Sequence, residues 1–186
     1  MTKKINPSHF ISKVLRHNPA LADLTVDPAG WVETSKLFDA IQSRKPSYTI
    51  EQFESEILTN ERYSFSDESH AKVRADYGHS IGLRLEDLCG SPNTPPDILY
   101  HGTERQVKDS ILASGIHRQK RDHVFLTDSP EVARAKAMRR HTPPAVIIID
   151  AKKMAEDGYA FYHAKNDIWL AYDIPKEYIL EAKDWI

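Results

Sequence analysis

Apolar positions recur at helical spacing through the first third of the chain and at strand spacing soon after. Phe10, Ile11, Val14 and Leu15 fall on one face of a helix that Ser8 can cap and Asn18-Pro19 ends. Asp27-Pro28-Ala29-Gly30 is a turn signal; after Trp31, Thr34 caps a second helix with Leu37, Phe38 and Ile41 at helical spacing. Thr49-Ile50-Glu51-Gln52 is a capping box for a third, whose apolar face Phe53, Ile57 and Leu58 continue. The period then changes to two. Tyr63 and Phe65 alternate with polar neighbours, and Ala71, Val73, Ala75 and Tyr77 alternate with Lys72, Arg74 and Asp76. Ser66-Asp67-Glu68-Ser69 joins the two runs as a hairpin loop. Three short helices followed by a two-stranded ribbon is the order of a winged helix, an architecture that binds more often than it catalyses.

Gly90-Ser91-Pro92-Asn93-Thr94-Pro95-Pro96 interrupts both periods, because proline fixes φ and removes amide donors. It predicts a boundary between lobes 1–90 and 91–186. Beyond it the pattern is mixed. Ile98-Leu99-Tyr100 is a short strand opening into His101-Gly102-Thr103, and Val107, Ile111 and Leu112 mark a helix stopped by Gly115. Val124-Phe125-Leu126 is a strand, and Ser129-Pro130-Glu131 is an N-cap with proline at the first helical position. Val146 to Ile149 is the most apolar strand, with further strands expected over Tyr159–Tyr162 and Ile168–Tyr172. Many short strands and few helices, without regular βαβ alternation, predict an α+β fold.

Composition mostly excludes. The 186 residues are 40% hydrophobic, enough for a core, and no apolar run approaches the ~18 residues of a membrane span. The start, Met1 to Pro7, is basic without an apolar stretch, so secretion is not expected. Cys89 is the only cysteine, which removes disulfide frameworks, CxxC redox pairs and thiolate zinc sites. A cytoplasmic location follows as the expectation. A formal charge of −2 argues against indiscriminate coating of nucleic acid but leaves room for a local basic pocket.

Candidate chemistry has a bland reading beside each sharp one. Gly78-His79-Ser80-Ile81-Gly82 matches a nucleophile elbow, yet the half-charged run Lys72–Tyr77 before it does not suit the centre of a parallel sheet. Dinucleotide and phosphate-loop glycine motifs and H-E-x-x-H are missing, and the scattered histidines do not pair with carboxylates at ligand spacing, so no metal is expected. Arg16 and His17 end a helix, where cations suit the macrodipole without any further role. Arg74 lies on the polar face of a strand, and Arg121 two residues before His123. Separately each is ordinary. Together they would supply three guanidiniums and an imidazole, which suits a phosphate dianion. His101 after an apolar run reads first as a satisfied core residue, while Gly102 permits close approach of a ligand or of backbone.

Six segments, taken in order, resemble one family. Leu15-Arg16-His17, Gly30-Trp31-Val32, Arg74-Ala75-x-x-Gly78-His79-Ser80, Leu99-Tyr100-His101-Gly102-Thr103, Arg121-x-His123-Val124-x-Leu126 and Trp169-Leu170 are similar to the RNA 2′-phosphotransferases, members of the wider ADP-ribosyltransferase group. The resemblance implies an N-terminal winged-helix lobe facing RNA and a C-terminal ADP-ribosyltransferase-like mixed β lobe holding NAD⁺. It implies transfer of an internal RNA 2′-phosphate to NAD⁺, through an ADP-ribosylated RNA, giving a 2′-hydroxyl, ADP-ribose 1″,2″-cyclic phosphate and nicotinamide. NAD⁺ is then a co-substrate, and the RNA is tRNA-like, as at a splice junction.

Carried over by motif, Arg16, His17 and Arg74 would grip the 2′-phosphate and Arg121 would stabilise charge during transesterification. His101, Gly102, Thr103 and His123 would seat NAD⁺, with a hydrophobic third position near Ile168 that the sequence does not fix to one residue. A monomer is expected. The chain departs from the family at Asp76-Tyr77, where Asn-Gln is usual, and at Phe125 and Thr127; Asp76 adds negative charge beside the phosphate residues. Two other readings stay open: an ADP-ribosyltransferase acting on terminal nucleic-acid phosphates, and a catalytically silent winged-helix RNA binder.

Overall fold

The structure, a computed structural model, describes residues 5–139 and 141–184; the basic start Met1–Lys4 lies outside them. The chain divides into two compact units, Met1–Leu88 and Cys89–Ile186. Among the described residues there are seven α-helices and two antiparallel sheets. None of these helices is long and apolar enough to cross a membrane.

The first unit runs α1 (Pro7–Arg16), β1 (Val32–Glu33), α2 (Thr34–Gln42), α3 (Ile50–Thr59), β2 (Tyr63–Phe65) and β3 (Lys72–Ala75). Helix α1 is capped by Asn6, whose side chain accepts from His9 N, and not by Ser8. Pro7 needs no amide partner and its φ is already helical, which moves the start back two residues. Nor does Thr34 cap α2: its amide donates to Ala71 O at 3.0 Å, continuing the sheet, and Glu33 takes the cap position. The Thr49–Gln52 capping box forms in full. Strand β3 is central, pairing with β1 through Val32–Val73 and with β2 through Tyr63–Ala75, Ser64–Arg74 and Phe65–Val73. Ile11, Leu37, Ile41, Phe53 and Val73, all fully buried, fill the core beneath. Tyr48 closes its edge by donating to Glu56 at 2.8 Å; burial and that carboxylate push its phenol well above the ordinary range, so it stays a donor. Helix α4 (Leu85–Cys89), which the sequence pattern did not predict, ends this region.

The second unit contains β4 (Ile98–Glu104), α5 (Lys108–Ser114), β5 (Val124–Thr127), α6 (Pro130–Met138), β6 (Pro144–Asp150), α7 (Ala151–Glu156), β7 (Tyr162–Lys165), β8 (Ile168–Ala171) and β9 (Ile179–Asp184). Its sheet has the order β7-β8-β5-β4-β6-β9. The proline-rich stretch is tied to the edge of this sheet: Asn93 N donates to Phe161 O at 2.8 Å, and His163 N donates to Asn93 Oδ1 at 3.1 Å. The strand expected over Tyr159–Tyr162 begins only at Tyr162. Gly158, at φ +96°, ends α7, and the Tyr159 amide closes that helix on Met154 O.

Two glycines mark where backbones touch. A Cβ on Gly102 of β4 would overlap the carbonyl of Ala133 in α6, and one on Gly115 would overlap the carbonyl of Ile174, whose backbone pairs with Ile116. Gly102→Ala is therefore expected to destabilise by ~3 kcal/mol or more, since α6 must move off the sheet. Gly158→Ala, with open space around the site, should cost only about 1 kcal/mol of backbone strain. Thermal melts of the two variants check the contrast.

Candidate functional site

In the first unit the segment Asp76–Ser80 gathers three of the residues singled out in the sequence. The period of two carries Arg74 and Asp76 to the same face of β3, opposite the buried Val73 and Ala75. Arg74 Nε donates to Asp76 Oδ1 at 3.3 Å. Its Nη1 donates to Ala29 O at 3.1 Å and to Leu88 O at 3.0 Å, and the guanidinium lies 4.5 Å above the Trp31 ring. Three of its five N–H groups are thus occupied, and among the described residues nothing takes the two on Nη2. Asp76 is buried, with 3% of its side chain exposed, and its Oδ2 accepts from Ser64 Oγ at 2.8 Å. Ser64 stands opposite Arg74 in the β2–β3 register.

Arg16, the last residue of α1, is also buried. Its backbone carbonyl accepts from Ser80 N at 2.9 Å, and its guanidinium sits 5.1 Å from the centre of the Tyr77 ring. Gly78, at φ +86°, turns the chain so closely around Arg16 that a Cβ there would lie 3.3 Å from Arg16 Cζ. His17 follows, with Nδ1 2.8 Å from Ser80 Oγ. Ser80 is therefore a partner of His17. It lies in an irregular stretch after an antiparallel strand, five residues ahead of α4, and not at a strand-to-helix elbow.

In the second unit β4 pairs with β5 at Tyr100–Thr127. The segment His101–Thr103 continues β4 beyond that pair, and His123–Phe125 leads into it on the facing strand. His101 Nδ1 reaches Phe125 O at 2.8 Å. A carbonyl only accepts, so Nδ1 carries the proton and a neutral ring keeps its lone pair at Nε2. Thr103 and His123 are buried. The close approach that Gly102 permits is made by the backbone of α6, as described above. Arg121 is exposed, in a turn where its amide donates to Arg118 O at 3.0 Å. That turn is anchored by Asp173, whose Oδ1 accepts from Arg118 N at 3.0 Å and Arg118 Nε at 3.2 Å. Tyr172 meets Arg118 on one side, at 5.2 Å, and His123 edge-on at 5.9 Å. Among the described residues no three His, Cys, Asp or Glu side chains group as metal ligands.

The model of the RNA 2′-phosphotransferase, Tpt1/KptA family matches residues 2–173. The chain belongs to this family. It is 37% identical over 177 residues to a probable RNA 2′-phosphotransferase of Acaryochloris marina, covering 95% of this chain and 96% of that protein. A counterpart so named from Hahella chejuensis is 36% identical, covering 96% and 95%. One from Streptomyces coelicolor is 34% identical, covering 95% and 94%.

Within an RNA 2′-phosphotransferase framework, several contacts escaped the sequence reading. Trp31, Asp76 and Tyr77 hold arginine heads, and Tyr172 and Asp173 hold the Arg121 turn. The pairing of Arg74 with Asp76 had a signal, the shared face of an alternating strand; the stack on Trp31 had none, because it joins residues 43 positions apart. Arg74→Lys is expected to lose both carbonyl contacts and the stack, lowering stability by about 1–3 kcal/mol. A urea melt followed by Trp31 fluorescence checks this. Ser80→Ala removes one hydrogen-bond partner of His17 and should slow RNA 2′-phosphate transfer by about tenfold or less, far short of the loss expected of a nucleophile.

Proposed function

We propose that this chain is an NAD⁺-dependent RNA 2′-phosphotransferase, removing an internal 2′-phosphate from a tRNA-like RNA. The observation that carries the reading is the gathering of Arg16, His17 and Arg74 around the segment 76–80, with the Nη2 edge of Arg74 unfilled among the described residues. A permanently charged guanidinium held in place suits a phosphate dianion, and it serves as an electrostatic clamp because it cannot act as a base. Arg16, His17 and Arg74 hold the 2′-phosphate. His17, oriented by Ser80, donates or relays a proton. Arg121 stabilises the charge that develops when the ribose hydroxyl attacks phosphorus.

The first unit supports a winged-helix lobe by its element order, three helices and a ribbon closed by β1. The second supports an ADP-ribosyltransferase-like lobe by its six-stranded sheet, in which β4 carries His101 and Thr103 and His123 leads into β5. The polar groups on these strands that fit a dinucleotide are the His101 imidazole, the Thr103 hydroxyl and the His123 ring. When bound there, NAD⁺ supplies an electrophilic ribose carbon bearing nicotinamide as leaving group. His101, Thr103 and His123 hold it, and Gly102 lets α6 pack against the strand that carries them. The hydrophobic third position lies near Ile168, which stands opposite Thr127 on β8.

A short RNA bearing one internal 2′-phosphate, incubated with and without NAD⁺ and weighed by mass spectrometry, tests the reading. The expected products are 2′-hydroxyl RNA and ADP-ribose cyclic phosphate, only with NAD⁺. A wild-type reaction that halts at ADP-ribosylated RNA favours a transferase of terminal phosphates, and no reaction favours a silent binder. Arg121→Ala should slow the second step ~100-fold or more and so accumulate ADP-ribosylated RNA; equal slowing of nicotinamide release removes this division of roles.

A further inference from the structure

Asp76 and Tyr77 are adjacent, both buried, and each holds a different arginine. Asp76 fixes Arg74 through Nε and is itself fixed by Ser64. Tyr77 offers its ring face to Arg16 at 5.1 Å. A buried carboxylate so close to a phosphate site would repel the ligand if it faced it. Here one oxygen faces Arg74 Nε and the other faces Ser64 Oγ, while the nitrogen left over on Arg74 is Nη2. The hydrogen bond that Asp76 accepts thus orients the guanidinium. A ring beneath Arg16 does the same by a different force, holding a planar cation flat.

We propose that Asp76 and Tyr77 are positioning residues that preset the two arginine heads for an RNA phosphate, so that they control affinity for the phosphorylated RNA and not for NAD⁺. The inference deepens the function proposed above and rests on Arg16 and Arg74 meeting that phosphate.

Steady-state kinetics with 2′-phosphorylated RNA and NAD⁺ varied separately test it. Asp76→Ala should raise the KM for RNA roughly tenfold or more, with the KM for NAD⁺ changed less than about twofold. Asp76→Asn keeps an oxygen for Arg74 and sets an amide nitrogen where it can donate to Ser64 Oγ, and should recover most of that loss. Tyr77→Leu should raise the RNA KM about fivefold, and Tyr77→Phe, which keeps the ring, should recover it. An unchanged RNA KM in Asp76→Ala, an equal rise in both KM values, or no recovery in Asp76→Asn overturns the proposal. If Asp76→Ala loses its melting transition, Ser64→Ala carries the test: it removes the donor to the far oxygen and should raise the RNA KM about threefold, an unchanged value overturning the proposal. Arg74→Ala separates the two readings. An unchanged RNA KM there removes the phosphate role of Arg74 itself, and positioning with it; a raised one beside a wild-type value in Asp76→Ala removes positioning alone.

Discussion

The guanidinium of Arg74 is held on three sides before any ligand arrives, by a carboxylate, by two backbone carbonyls and by an indole face. A free arginine side chain carries about 2 kcal/mol of rotamer entropy, and a loose one would lose it on meeting a phosphate. In this fold the loss is taken during folding, where burial of Trp31 and the β2–β3 ribbon offsets it. What reaches a ligand is a single amino group in a fixed place. The fork that makes arginine a good phosphate ligand in general is largely committed here to protein, so Arg74 contributes position and charge more than bidentate geometry.

The same economy of motion governs the rest of the first unit's cluster. The Asp27–Trp31 turn closes on itself, with Gly30 N donating to Asp27 O at 2.9 Å and Trp31 N to Asp27 Oδ1 at 2.9 Å. That closure sets both the Ala29 carbonyl and the Trp31 ring against Arg74. Gly78 bends the chain around Arg16, and Ser80 ties back to Arg16 and His17 at once. In the second unit the constraint is steric: Gly102 and Gly115 leave room for carbonyls, so α6 and the Ile174 segment are seated without slack. Close backbone packing of this kind tolerates little expansion, since interiors are as dense as organic crystals.

Much of this was legible in the chain. The capping box at Thr49, the proline-initiated helix after Ser129 and the alternation through β3 are local patterns, and local patterns are what a sequence displays. The start of α1 was misplaced because two residues compete for the cap, and Pro7 decides in favour of Asn6. Strand β9 was missed because it is an edge strand whose burial follows no clean alternation. Helix α7 was missed although its signal was there, Asp150 accepting from Lys153 N at the cap. Among the site residues, motifs marked Arg16, His17, Arg74, Arg121 and the histidines. Asp76 orients Arg74 from two positions away and shows in the alternation. Other supports act over long separations, as Trp31 does on Arg74 and Asp173 on the Arg118 turn; these depend on tertiary structure and leave no trace in spacing.

A formal charge of −2 and a phosphate-clamping role are compatible because the decisive electrostatics are local. Asp76 neutralises Arg74 in the net sum yet leaves a directed pair, its negative end buried against Ser64 and a cationic amino group unfilled. Arg16 places its cationic head against an aromatic face. At an effective dielectric of about 20, a unit charge 4 Å from a phosphate is worth about 4 kcal/mol, whereas exposed charges beyond a Debye length of roughly 8 Å are largely screened. Two or three fixed cations therefore outweigh the sum over the surface. The proposed clamp, built this way, would select a phosphate that can enter and meet the fixed groups, and would leave the rest of a polyanionic RNA only weakly held.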